Sequence, residues 1–256
     1  MTQLFFKAAS FTSNRATVQL QKVEPLMQVL ENDAYGHWIF GENSSSLTDK
    51  VNNRNLTVQS GASTAPSYTA NNVHLATTVG NSLLTSLTDT SNQDFTMCAV
   101  VKADQATLTI LLGNLVPSSS TVYSGSGVFV SGDVGYVTIK PSIANHASVN
   151  GVSSLAAGSA HNQSEYFFIA MSVNKTTKNA TVYVLQNTER FAEKAYTAAG
   201  YDNSNKLAIG NAFYNGGTGS ASFAEAIVYD KALTVDQIKA IASRSRERMS
   251  DRNIYF

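Results

Sequence analysis

The sequence predicts an all-β protein: two antiparallel sheets packed as a sandwich, with one short helix near the C-terminus. Three observations carry this. Phe95, Met97, Ala99 and Val101 alternate with Thr96, Cys98 and Val100, and Phe167, Ile169, Met171 and Val173 alternate with Phe168, Ala170 and Ser172. Runs of this kind are short and separated by Gly, Ser and Asn, as in sandwiches built from many strands. The stretch from Lys206 to Ile241 reads, in order, as a strand, a Gly-rich turn, a second strand and a capped helix.

In chain order, residues 1–34 form an N-terminal arm. Alternating patches such as Thr17, Val18, Gln19 and Leu20 suit either an extra strand or hairpin of the sandwich, or docking onto a neighbouring subunit with Phe5, Phe6 and Phe11 as anchors. The arm lacks the continuous apolar run of a secretory signal, and no stretch has the length of a membrane span. Residues 35–243 form the sandwich. Within it, Tyr166 to Leu185 is a hairpin whose polar link is Asn174 to Asn179. In the last strand, Phe223, Glu225, Ile227 and Tyr229 fall on one face, with Ala224, Ala226, Val228 and Asp230 on the other. Thr234 and Gln237 form a capping box, and Val235, Ile238, Ile241 and Ala242 make the apolar stripe of a helix over about 234–247. Residues 244–256 form a tail. Its Arg244, Arg246, Arg248 and Arg252 read as a solvated helix end that complements the helix dipole, and its terminal Tyr255 and Phe256 as a partner contact.

The closing segment resembles that of laminin-G-like members of the concanavalin A-like lectin/glucanase family. Three further segments fit the same family in its chain order: HWIFGENSSSLTDKVNNRNLTV from His37, DFTMCAVVKAD from Asp94 and YFFIAMSVNKTTKNATVYV from Tyr166. The resemblance spans roughly residues 35 to 243 and implies a two-sheet antiparallel jelly roll.

Glucanases of this fold place paired carboxylates on one strand as nucleophile and acid. Their Glu-x-Asp-x-Glu run has no counterpart here; the nearest approach, Glu31 to Tyr35, puts Tyr at the second Glu. His37, His74, His146 and His161 are scattered in polar contexts and read individually as surface or loop residues. Cys98 reads as a packed thiol, and one cysteine excludes an intrachain disulfide framework. The chain is therefore expected not to be an enzyme. The resemblance also raises a loop calcium site, with oxygens from Glu42, Asp49, Asn53, Asn55 and Glu225. Where the family has Phe-Asp-Glu and Asp-Glu, this chain has Phe40-Gly41-Glu42 and Ala224-Glu225, each lacking a carboxylate. The reading in which Glu42 and Glu225 are partly buried and pair with backbone donors outweighs a metal site, and no cofactor is expected.

Eighteen basic and eighteen acidic residues cancel, and only 14% of the 256 residues are charged, so neither nucleic acid nor a membrane surface is an expected partner. A charge-poor sandwich rich in Ser, Thr, Asn and Gly looks like the virion proteins of tailed bacteriophages that carry this fold. That analogy implies a capsid-decoration, head-fibre or tail-surface component, with further copies of the chain, other virion proteins and a host-surface glycan as partners. The alternatives are a glycan-binding module of an exported bacterial protein and a divergent polysaccharide-degrading enzyme. For sugar stacking, Tyr123, Tyr136, Tyr201, Phe213 and Tyr214 lie in Gly/Ser/Asn-rich loops.

Overall fold

In the computed structural model the described residues are 29–90, 92–103, 108–117, 123–131, 138–139, 142–144, 164–195 and 205–256. They form two antiparallel sheets and one α-helix, a jelly-roll sandwich as the sequence predicts. The first sheet contains Gly36–Ile39 (β1), Ser67–Thr69 (β3), Asn72–Ala76 (β4), Phe95–Ala103 (β6), Phe167–Asn174 (β12), Asn179–Leu185 (β13), Glu189–Ala195 (β14) and Ser220–Tyr229 (β16), in the order β14-β13-β12-β6-β16-β4-β3, with β1 also on β16. The second contains Thr57–Val58 (β2), Asn81–Thr88 (β5), Thr109–Gly113 (β7), Val116–Pro117 (β8), Tyr123–Ser131 (β9), Thr138–Ile139 (β10), Ser142–Ala144 (β11) and Lys206–Asn211 (β15). Its order is β10-β9-β7-β15-β5-β2, with β8 and β11 paired to β9.

The inner faces of both sheets meet in one core. Phe95, Met97, Ala99 and Val101 of β6 and Phe167, Ile169, Met171 and Val173 of β12 point into it, packed against Leu111, Leu112, Val128 and Ile209 from the facing sheet. The hairpin also forms as predicted, with Val173 opposite Ala180 and Phe168 opposite Leu185.

The opposite face of the first sheet is apolar too, because the helix covers it. Cys98, Val100, Phe168, Ala170, Tyr183, Ile227 and Tyr229 form a second cluster with Ile238, Ile241, Ala242 and Met249 of Val235–Ser250 (α1). Strands buried on both faces need near-continuous apolar sequence, which β6 and β12 have. Two buried polar residues within them, Thr96 and Ser172, grip the loop ahead of the helix: both hydroxyls accept the Leu233 N–H, at 2.9 and 3.0 Å. Thr234 then caps the helix with Gln237 in the reciprocal box expected. At the other end, Ile254 N donates to Met249 O and Asn253 takes a left-handed φ of 59°, a Schellman-type ending that turns Ile254 into the apolar cluster.

The alternation expected for β16 is corrected by a bulge. Phe223 pairs with Val101 and Glu225 with Val100, so Ala224 is an extra residue and the phase flips across it. Phe223 thus faces the inter-sheet core with Ala226 and Val228, while Ile227 and Tyr229 lie under the helix.

Met97→Ala, at the centre of the inner core, is expected to cost about 2–5 kcal/mol in urea unfolding, whereas Thr57→Ala, exposed on a two-residue edge strand, stays within about 0.5 kcal/mol. Equal midpoints for the two variants would place the core elsewhere.

Candidate functional site

Charged groups gather where the helix crosses the outer face of the first sheet. Arg248, 2% exposed, donates from Nε to Glu225 Oε1 (2.7 Å), from Nη1 to Glu31 Oε1 (2.9 Å) and to Val29 O (2.6 Å), and from Nη2 to Ser245 Oγ (2.9 Å). Arg244 holds Glu31 with two further bonds, at 2.9 and 2.6 Å, and Tyr229 donates its hydroxyl to the same carboxylate. His37 Nδ1 accepts the Glu31 N–H (3.2 Å), so the ring proton sits on Nε2 and is donated to Glu225 Oε1 at 2.8 Å. Two carboxylates and two guanidinium groups then balance around a neutral imidazole.

Burial pushes the Glu225 carboxyl up, but the His37 hydrogen bond and the Arg248 charge outweigh it and hold the group down at about 2. Glu31 is also lowered: its desolvation is outweighed by Arg244 and Arg248. Burial, reinforced by the Glu31 and Glu225 charges, pushes the Cys98 thiol well up, which suits a packed thiol and not a nucleophile.

Three sequence expectations are corrected here. Arg248 is buried and Arg244 is bonded to Glu31, so these two do not form a solvated helix end. His37 is fully buried. Glu225 is fully buried and pairs with side chains where backbone donors were expected, while Glu42 is exposed.

The other candidate residues are dispersed. Asp49 is buried and accepts the backbone N–H groups of Val51, Asn52 and Arg54, so it holds the 49–54 turn. Asn53 sits exposed in that turn with a φ of 56°, and Asn55 accepts from the Thr48 hydroxyl. Among the described residues, no group of three or more His, Cys, Asp or Glu is placed to hold a metal. Phe213 and Tyr214 are half-buried in the β15–β16 connection, where Asn211 accepts the Tyr214 N–H and donates to Tyr214 O and Thr77 O. Tyr136, Tyr201, Phe5, Phe6 and Phe11 lie outside the described residues, and of Tyr123 only the backbone lies within them. Tyr255 is 69% exposed, whereas Phe256 packs on the helix-side cluster beneath Arg246.

Beside the network, where β1 ends, lies an open depression of about 570 Å³. Leu30, Ile39 and Ala70 give it an apolar floor, while Phe40 borders it with its side chain turned into the inter-sheet core; Glu42, Ser45, Ser46 and Lys50 stand on its rim and Arg252 forms one wall. Glu42 has a left-handed φ of 45° and its N–H is held by Thr69 O. Its carboxylate, the Ser45 hydroxyl and the Lys50 ammonium are exposed, and none makes a side-chain bond within the described structure. Sequence reasoning named Glu42 but missed Lys50 and Arg252, which lie 8 and 210 residues away along the chain.

Because both buried carboxyls titrate below the ordinary glutamate value, the network's contribution is fully present above about pH 4.5 and is lost as pH falls toward 2. Glu225→Gln is expected to lower stability by roughly 3–5 kcal/mol at neutral pH, since Arg248 loses a buried partner. Urea midpoints of wild type and variant should converge as pH falls below 4.5. A gap that stays constant down to pH 2.5 would contradict this.

No protein-family profile matches the sequence, and no curated protein matches it. Solved structures do. A mutant of Trypanosoma rangeli sialidase displaying trans-sialidase activity aligns with a TM-score of 0.53 at 14% identity, over 83% of this chain and 33% of that one. T. rangeli sialidase in complex with a 2,3-difluoro-KDN gives 0.51 at 14% identity, over 79% and 31%. The Ruminococcus gnavus IT-sialidase CBM40 gives 0.43 at 14% identity, over 59% of this chain and 84% of that one. The chain thus spans about a third of the length of the two sialidases, and at these identities the likeness establishes the jelly-roll fold.

Proposed function

We propose that the chain is a non-catalytic glycan-binding sandwich whose binding surface is the depression beside β1. The observation that carries this reading is the combination of an apolar floor with an unengaged carboxylate, hydroxyl and ammonium on the rim. A pyranose ring offers the matching chemistry: a C–H face for the floor and hydroxyls that donate to Glu42 and accept from Lys50. Two of the solved structures in which about a third of the chain shares the fold are sialidases, a fold-level analogy in keeping with a carbohydrate ligand.

Against catalysis, glycoside hydrolysis needs two carboxyl groups flanking the scissile bond, and among the described residues Glu42 is the one carboxylate lining the depression. Glu31 and Glu225, which Arg248 bridges, are sealed beneath the helix and bound to arginines. So shallow a site suits display in many copies, where weak single contacts add. Presentation on a tailed-phage virion is the setting that the neutral, charge-poor composition favours. The module of an exported bacterial protein is the competing setting. Within the tail, the packing of Ile254 and Phe256 leaves Tyr255 as the outward residue for a neighbour.

A multivalent preparation of the protein on a glycan array tests this. Binding to a defined glycan class is expected, falling about 10- to 100-fold in Glu42→Gln and Lys50→Ala, as loss of a charge-assisted hydrogen bond implies. Release of reducing sugar that disappears in Glu42→Gln would instead make the chain a hydrolase, and absence of binding across the array would reject the glycan reading.

A further inference from the structure

Three backbone carbonyls converge at the wall of the depression, one of which, Ala224 O, also accepts the Phe40 N–H at 2.9 Å. Phe40 O follows the end of β1, Ala70 O lies in the β3–β4 turn, and Ala224 O belongs to the bulge residue of β16. Arg252 reaches all three: Nη1 donates to Ala224 O at 3.1 Å, and Nη2 donates to Phe40 O and, at 3.5 Å, to Ala70 O. Its own carbonyl accepts from Asn71 Nδ2 at 3.1 Å, which ties the β3–β4 turn back to the tail. Gly41 completes the arrangement. A Cβ there would lie 2.6 Å from Ala70 O and 3.2 Å from Arg252 Nη2, so the guanidinium and the turn fill the space where a side chain would sit.

We propose that Arg252 is the positioning residue of the depression, a cation carried by the chain itself that gathers three carbonyls and thereby fixes the rim at Gly41 and Glu42. Its role is to hold the backbone: Nη1 and Nη2 are engaged by the three carbonyls, with Nη1 also 4.0 Å from Met249 Sδ. The planar fork matters: an ammonium is a point charge and does not span carbonyls from three separate segments. The guanidinium keeps its charge in this setting, although burial lowers its pKa against the opposing pull of Glu225 and Tyr166. The consequence for affinity rests on the glycan reading above, but the consequence for rim shape does not.

The experiment is amide hydrogen exchange on the ligand-free full chain, comparing wild type, Arg252→Ala and Arg252→Lys. Exchange at 41–46 and 69–71 is expected to rise at least 10-fold in both variants, with β6 and β12 protected as in wild type. Guanidinium at a few millimolar should restore the rim of Arg252→Ala and leave Arg252→Lys unchanged. Should Arg252→Ala fail to fold, Arg252→Lys alone decides. Wild-type exchange at 41–46 in Arg252→Lys overturns the proposal, as does exchange in Arg252→Ala that rises evenly through the core or ignores guanidinium. If the rim loosens as described but wild type binds no glycan, the positioning role stands and the glycan reading falls.

Discussion

The buried contact of Arg248 with Glu225 and Glu31 ties together the three parts of the chain that shape the end bearing the depression. The arginine belongs to the helix, Glu225 to β16, the longest strand among the described residues, and Glu31 to the segment that leads into β1. Charges this deep carry a large desolvation penalty, and the arrangement holds because nearly every donor and acceptor is matched. Moving the helix by half a turn along the sheet would turn Arg248 away from both carboxylates and strand them in an apolar cluster. The network therefore fixes the helix in one register, which apolar contacts among Ile238, Ile241 and Met249 alone do not specify. The position of Arg252, four residues beyond Arg248, follows from that register, and so does the wall of the depression.

Covering one face of the first sheet has a second consequence. With β6, β12 and β16 enclosed between helix and core, the faces of this sheet are closed to a ligand and its rims and loops are what it exposes. A further polar pin, in which Lys175 of the β12–β13 link bonds Asp89 and Asn114 bonds the same carboxylate at 2.9 Å, locks the two sheets together away from the depression. What this leaves near the helix end is a shallow surface with an apolar floor, suited to holding a sugar ring at modest affinity and poorly suited to excluding water for chemistry.

Much of the fold was legible because its signals are local. Period-two alternation placed the core faces of β6 and β12, and Thr234 with Gln237 placed the helix start. The bulge at Ala224 was not legible, since nothing in Phe-Ala-Glu announces an extra residue, and it moved Phe223 to the opposite face from Ile227 and Tyr229. Arg248 carried a signal that was passed over: the spacing Ile238, Ile241, Ser245, Arg248 continues the apolar stripe onto the buried face. His37 gave no such sign, because its partner lies 188 residues away. The depression was legible only at Glu42; Lys50 and Arg252 join it through the folding of distant segments, which periodicity does not encode.

The central claim is that this depression is where the protein meets a glycan. Chemical-shift mapping with the strongest-binding glycan of a panel tests it most directly. The account predicts perturbations concentrated at residues 39–50, at Ala70 and at Arg252, with the β15–β16 connection around Phe213 and Tyr214 unaffected. Perturbations centred on Phe213 and Tyr214, with residues 39–50 silent, would contradict it.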